Sequence, residues 1–137
     1  MTADGTSRID ARLVAARARL ARIEPLTAAG RQASGHLLVD IRPRDQRRAE
    51  GEIPDSIVIE RNVLEWRLDP TSDARIADVV ATTPVIVFCQ QGYTSSLAAS
   101  DLLELGRVDV TDIDGGFEGW RDAGLPVVDG GRAADFS

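Results

Sequence analysis

The residue of this sequence best suited to nucleophilic chemistry is its single cysteine, Cys89. One thiol forms neither an intramolecular disulfide nor a multi-cysteine metal site, so Cys89 is either a buried small hydrophobe or a reagent. It follows the apolar run 85–88 and precedes the short loop of Gln90, Gln91, Gly92, Tyr93, Thr94 and Ser95. Such a loop turns backbone N–H groups toward one point, to which the N-terminus of the next helix adds its positive dipole end. Both effects favour the thiolate, and we therefore interpret Cys89 as a reactive cysteine.

Buried strands and helices alternate along the chain on either side of Cys89. Short apolar runs rich in β-branched residues predict strands at 36–41, 56–59, 85–89 and 108–113. Spacing and helix-breaking residues predict helices or helical turns at 26–32, 43–49, 63–68, 72–80, 95–105 and 117–123. This alternation over short loops predicts an α/β fold with a parallel sheet and helices on both faces. Ligands of such folds bind at the carboxyl ends of the strands, where Cys89 lies.

Composition narrows the class of protein. With 137 residues the chain fits one domain, and its formal net charge of −6 argues against a nucleic acid as partner. No apolar run approaches the roughly 20 residues of a membrane-spanning helix, so we expect no membrane partner. Arginines interrupt the first 22 residues, which is unlike a signal peptide, and we expect a cytoplasmic location.

The domain proper is expected at 22–128, between two terminal segments. Apolar residues at helical spacing, with arginines between them, predict an amphipathic helix over 8–22. We therefore assign residues 1–21 to an N-terminal helical extension, able to cover the fold or to pair with another chain. The glycine-containing residues 129–137 are expected to form a flexible C-terminal tail.

Four stretches of the chain, in this order and spacing, resemble the rhodanese-like domain family. They are LLVDIRP at 37–43, GEIPDSIVIE at 51–60, VIVFCQQGYTSS at 85–96 and DIDGGFEGWRDAGLPV at 112–127. The resemblance implies a three-layer fold with a mostly parallel sheet of about five strands. It also implies a sulfurtransferase that carries sulfur as a persulfide on Cys89, cradled by the backbone of 90–95. No metal or organic cofactor is implied.

The resemblance also suggests supporting residues and shows departures. Asp40 and Arg42 match the D-x-R motif of the family, which implies a structural ion pair that holds the loops, or direct contact of Arg42 with an anion. Where the family commonly has G-H-I-P-G, acidic residues stand at Glu52 and Asp55, and we expect them near the rim of the site. Arg61, after the strand at 56–59, is the first candidate to hold an anionic donor. The resemblance implies thiosulfate, a persulfide or a protein as the donor, and a thiol, cyanide or a protein as the acceptor.

Two alternatives to a sulfurtransferase remain open. A cysteine-dependent phosphatase needs an arginine six residues after its cysteine to hold the phosphoryl dianion, and here that position is Ser95. A non-catalytic module that keeps the fold for binding or regulation is the other alternative. A cysteine–histidine couple is not expected, because the single histidine, His36, begins a strand and so lies at the opposite edge of the sheet. The oligomeric state does not follow from the sequence.

Overall fold

A five-stranded parallel sheet forms the centre of the computed structural model, which describes residues 6–137. The helices are α1 Arg8–Ala18, α2 Pro25–Ala33, α3 Arg44–Glu50, α4 Leu64–Leu68, α5 Thr94–Glu104 and α6 Gly116–Asp122. The strands are β1 Leu37–Asp40, β2 Ile57–Val58, β3 Val85–Phe88, β4 Val110–Asp112 and β5 Ala134–Asp135, and a 3-10 turn spans Arg61–Val63. The strand order is β4-β3-β1-β2-β5, and every neighbouring pair is parallel. The predicted α/β fold is thereby confirmed.

The alternation of side chains along β3 shows why both faces of the sheet are covered. Val85 and Val87 belong to one buried cluster, which α4 and α5 complete. Ile86 and Phe88 belong to a second cluster, which includes residues of α2 and α6. A strand buried on both faces must be apolar throughout, and this strand was predicted from that property. Trp120 of α6 is a buried residue of the second cluster, and its indole N–H donates to the carbonyl of Pro126.

Helix α1 packs against α5. It begins after Ser7, whose hydroxyl accepts a hydrogen bond from the amide of Asp10 at 3.1 Å. Ala16 is its buried residue, whereas Ile9 and Val14 are exposed. Residues 1–5 of the predicted extension lie outside the described residues. No helix in the described part of the chain has the length and apolar character needed to cross a membrane.

The helix predicted at 72–80 does not form. Residues 70–83 instead form a series of turns, and the side chain of Ile76 is buried. The backbone groups of this segment have partners outside it. The amide of Ile76 donates to the carbonyl of Arg67 at 2.9 Å, and the carbonyl of Val80 accepts from the guanidinium of Arg107.

The segment predicted as a flexible tail contributes the fifth strand of the sheet. Within 129–137, Ala134 and Asp135 pair with β2, and the amide of Phe136 donates to the carbonyl of Val58 at 2.8 Å. Glu52 holds the two residues that precede this strand, because its carboxylate accepts hydrogen bonds from the amides of Arg132 and Ala133 at 2.9 and 3.0 Å. The predicted tail thus contains an edge strand, and its cause is a long-range pairing that tail composition does not reveal.

Candidate active site

Cys89 follows β3 directly and lies at the carboxyl edge of the sheet. Its thiol is free and buried, with 6% of the residue exposed. The sulfur accepts a hydrogen bond from the amide of Gly92 at 3.2 Å. Helix α5 begins at Thr94, so its first amides, which have no partner within the helix, lie in the same loop. Cys89 lines a cavity of about 310 Å³, together with Ile41, Arg42, Pro43, Gln46, Arg61, Gln90, Gln91, Tyr93 and Thr94.

The N-terminus of α6 sets the orientation of the first loop peptides. The amide of Phe117 donates to the carbonyl of Cys89 at 2.8 Å, and that of Glu118 donates to the carbonyl of Gln90 at 3.0 Å. A peptide group is planar and trans, so its N–H points opposite to its carbonyl. The amides of Gln90 and Gln91 are therefore turned away from α6.

This close approach of two backbone segments requires a glycine at position 116. Gly116 has φ +60°, and a Cβ atom there would lie 2.5 Å from the carbonyl oxygen of Cys89 and 2.8 Å from the amide nitrogen of Gly92. Sequence reasoning did not predict this contact of Gly116 with the cysteine loop.

Three charged residues that sequence reasoning missed hold the second half of the loop. Arg17 and Arg22 both donate to the carbonyl of Gly92, at 2.8 and 3.0 Å. Asp112 is buried, pairs with Arg22 at 2.9 Å, and accepts from the hydroxyls of Ser95 and Ser96 at 2.8 Å each. Asp112 lies in one of the stretches that carry the resemblance, but Arg17 and Arg22 lie 75 and 70 residues before Gly92. No local pattern indicates a contact over that separation.

Asp40 and Arg42 form a buried ion pair with Nη2 and Oδ2 2.8 Å apart. All three nitrogens of the Arg42 guanidinium donate, to Asp40, to the Gln90 side-chain oxygen at 2.9 Å and to the carbonyl of Gly51 at 2.8 Å. The guanidinium also stacks over the ring of Phe117, 4.1 Å from its centre. Arg42 thus links the cysteine loop to the chain at Gly51, which agrees with the loop-holding interpretation and leaves little of the guanidinium for an anion.

Arg61 lines the cavity of Cys89, as expected, but its charge is compensated. Its guanidinium pairs with Glu65 at 2.7 Å and with Asp101 at 3.2 Å. The predicted anion holder is therefore flanked by two carboxylates.

The expectation that Glu52 and Asp55 lie at the rim of the site is wrong. Both line a separate cavity of about 400 Å³, because the segment that precedes β2 lies at the amino edge of the sheet. Glu52 is fully buried and pairs with Arg47 at 3.4 Å. Burial alone raises the pKa of the Glu52 carboxyl, but hydrogen bonds from backbone amides and Arg47 hold it below its ordinary value.

Two positions bear on the alternatives to sulfur transfer. Ser95, where a phosphatase needs its arginine, is fully buried and donates to Asp112. Its hydroxyl is thus already engaged within the protein. His36 immediately precedes β1, so it lies at the opposite edge of the sheet from Cys89, as predicted.

Comparisons with known proteins agree with this geometry. The family model of the rhodanese-like domain matches residues 25–123. A thiosulfate sulfurtransferase GlpE of Pseudomonas savastanoi pv. phaseolicola is 35% identical over 104 residues, which are 73% of this chain and 86% of that protein.

Two solved structures are similar over most of the chain. A protein of unknown function from Rhodopseudomonas palustris, described as a possible tyrosine phosphatase, has 32% identity and a TM-score of 0.81, over 93% of this chain and 98% of that one. The homodimeric polysulfide-sulfur transferase of Wolinella succinogenes has 26% identity and a TM-score of 0.70, over 89% and 88%. On this geometry and these matches, the chain belongs to the rhodanese-like domain family.

Proposed function

We propose that this protein is a sulfurtransferase that moves sulfane sulfur from a donor to a thiophilic acceptor through a persulfide on Cys89. The observation that carries the proposal is the position of Cys89, which lines a cavity and whose sulfur accepts a hydrogen bond from the amide of Gly92. The thiolate attacks the outer sulfur of the donor, an S–S bond forms to Cys89, and the bond within the donor breaks. The electron pair of that bond leaves with the remainder of the donor, which is sulfite when the donor is thiosulfate. A thiolate or cyanide then takes the outer sulfur and restores the Cys89 thiolate.

The loop suits an anion that changes size during this cycle. Backbone amides are fixed dipoles that need no proton transfer, so they stabilise the thiolate and the persulfide anion alike. The cavity of about 310 Å³ leaves room for the additional sulfur atom and for part of the donor. Cys89 is the single cysteine, so an internal thiol cannot resolve the persulfide. The sulfur therefore leaves to a separate molecule, either a small thiol, cyanide or a partner protein.

The charges around the cavity favour a donor with one negative charge over a dianion. Arg61 is paired with two carboxylates, and the nitrogens of Arg42 already donate within the protein. Ile41, Pro43 and Tyr93 give the cavity an apolar wall. An organic persulfide, whose reacting end carries one negative charge, fits these surroundings better than thiosulfate, whose two charges require compensation. The similarities to a polysulfide-sulfur transferase and to a thiosulfate sulfurtransferase support sulfur transfer in general.

A comparison of donors tests the proposal. The purified chain is treated with glutathione persulfide or with thiosulfate, freed of the donor, and assayed for cyanide-labile sulfur. We expect close to one labile sulfur per chain, faster loading by the persulfide, and ping-pong kinetics in turnover with cyanide. Thiosulfate as the faster donor would contradict the donor preference alone. A chain that no donor loads would favour the non-catalytic module instead.

The similarity to a possible tyrosine phosphatase makes phosphate-ester hydrolysis the second candidate. The buried Ser95 at the position of the phosphate-holding arginine argues against it, because a hydroxyl cannot replace a bidentate guanidinium. Hydrolysis of an aryl phosphate at a rate above that of the Cys89→Ser variant would reverse the order of the two candidates.

A further inference from the structure

Arg17 brings the N-terminal helix into contact with the cysteine loop. Its guanidinium donates to the carbonyl of Gly92 at 2.8 Å and to the hydroxyl of Ser96 at 3.1 Å. It also lies over the ring of Tyr93, 5.6 Å from the ring centre, within the range of a cation–π contact. Helix α1 precedes residue 25, where the match to the family model begins. The contact is therefore a feature of this chain beyond the matched part of the domain.

The carbonyl that Arg17 holds belongs to the same peptide group as the amide of Tyr93. Because that group is planar and trans, fixing the oxygen on the side of Arg17 points the Tyr93 N–H to the opposite side. Arg22 donates to the same oxygen at 3.0 Å, so two guanidiniums hold one carbonyl. Hydrogen bonds from charged donors are about twice as strong as neutral ones, and they polarise the peptide so that its N–H becomes a better donor.

We propose that Arg17 and Arg22 are positioning residues, which hold the Gly92–Tyr93 peptide so that the amide of Tyr93 faces the sulfur of Cys89. This inference rests on the proposed function, since that amide then stabilises the thiolate and the persulfide anion. The arrangement resembles that made by α6, whose first amides hold the carbonyls of Cys89 and Gln90 from another side.

Arg17 is the better of the two residues for a test. Arg22 also pairs with the buried Asp112, so its removal exposes an uncompensated buried charge and disturbs the fold. Arg17 is half-buried, and among the described residues it contacts Gly92 and Tyr93 of the loop and Ser96 in the first turn of α5. A matched control exists at the end of the same helix. Arg19, the residue that follows α1, bonds to Ser100 and Glu104 of α5 at 3.2 and 2.8 Å, and no hydrogen bond or ion pair joins it to the loop among the described residues.

The experiment compares Arg17→Ala, Arg17→Lys and Arg19→Ala in the full chain, each first checked for native unfolding behaviour in denaturant. The first readout is the rate of alkylation of Cys89 by iodoacetamide as a function of pH, and the second is the rate of loading by glutathione persulfide. For Arg17→Ala we expect both rates to fall about tenfold at neutral pH, with the alkylation profile shifted to higher pH. Arg17→Lys keeps a charged donor and should recover part of the loss, whereas Arg19→Ala should match the native chain.

The alkylation readout separates this inference from the proposed function, because alkylation needs a reactive thiolate but no sulfur transfer. If the native chain takes up no sulfur while alkylation still depends on Arg17, the proposed function fails and the positioning role stands. If the native chain takes up sulfur and Arg17→Ala behaves like Arg19→Ala in both assays, the positioning role is overturned.

Discussion

The cysteine loop at 90–95 and the C-terminal segment at 129–137 are both short segments held by charged side chains. They differ in how deeply they are buried and in how many contacts hold them. The loop is fixed from four directions, by α6, by Arg42, by Asp112 and by the two arginines that share the carbonyl of Gly92. The terminal segment lies at the edge of the sheet with both residues of β5 exposed. The buried carboxylate of Glu52 accepts hydrogen bonds from the amides of Arg132 and Ala133, the two residues that precede β5.

We expect this difference to separate variants that alter local stability from variants that alter sulfur transfer. A segment with few buried contacts opens at low free energy, whereas a segment held from several sides opens only with its surroundings. Changes at the terminal segment should therefore alter local stability and leave sulfur transfer almost unchanged. Changes at the loop should reduce sulfur transfer.

The largest effect is expected at Gly116. An alanine there combines a positive φ with a Cβ atom 2.5 Å from the carbonyl oxygen of Cys89, so Gly116→Ala should lower the free energy of unfolding by roughly 2–5 kcal/mol. Persulfide loading should be lost along with the loop geometry. Gly124→Ala is the matched control, since Gly124 has φ +77° with nothing within 4 Å of the added atom, and it should cost about 1 kcal/mol. Equal costs in denaturant unfolding for the two variants would mean that the loop does not approach α6 as described.

A smaller effect is expected at Glu52, which holds the C-terminal segment. Glu52→Gln weakens charge-assisted hydrogen bonds to the amides of Arg132 and Ala133 and leaves Arg47 without its buried partner. We expect a loss of about 2 kcal/mol, the typical contribution of hydrogen bonds to a charged group. Hydrogen exchange at the amide of Phe136 should accelerate, while the loading rate of Cys89 stays within about twofold of the native rate. A loss of loading similar to that in Gly116→Ala would show that the two regions are coupled.

The carboxylates of Glu52 and Asp135 make the terminal segment sensitive to acid. Burial by itself raises the pKa of Glu52 and of Asp135, but their hydrogen bonds lower both below the ordinary values. A lowered folded-state pKa contributes stability above the unfolded-state pKa, and this contribution is lost as the pH falls through the folded-state value. Protection of the Phe136 amide should therefore decrease on acidification, and Glu52→Gln should remove part of that dependence. Protection that increases on acidification would contradict this assignment.

The smallest effects are expected at Arg61, where the ion pairs are partly exposed. Arg61→Ala should slow loading by thiosulfate about two- to threefold, because a partly exposed pair has a small net effect. Glu65→Gln removes one of the two compensating carboxylates and should speed the same reaction by a similar factor. Loading by glutathione persulfide should change less in both variants. Changes of the same sign in the two variants would exclude an electrostatic role for Arg61 toward the donor.

The parts of the fold that were predictable from sequence depend on local rules. The strand at 85–88 is apolar and β-branched because both of its faces are buried, and α2 begins at Pro25 as the fixed φ of proline allows. The helix predicted at 72–80 does not form, and its backbone groups have distant partners that no local pattern reveals: the amide of Ile76 bonds to the carbonyl of Arg67, and the guanidinium of Arg107 bonds to the carbonyl of Val80.

The candidate site was predictable only where residues are close in sequence. Cys89, its loop and the Asp40–Arg42 pair lie within short stretches, and the structure brings Arg42 into contact with Gln90. The contacts of Arg17 with Gly92 and of Glu52 with Ala133 span 75 and 81 residues, and they depend on how helices and strands pack. Glu52 was therefore assigned to the wrong edge of the sheet, and Arg17 was not assigned at all.

The central claim, that Cys89 carries sulfur, is tested most directly by mass spectrometry of the intact chain after treatment with glutathione persulfide and removal of the donor. The predicted result is one added sulfur atom, located on Cys89, lost on addition of cyanide and absent from Cys89→Ser, which should keep the native fold. A native chain that takes up no sulfur, or a Cys89→Ser variant that still transfers it, would contradict the account.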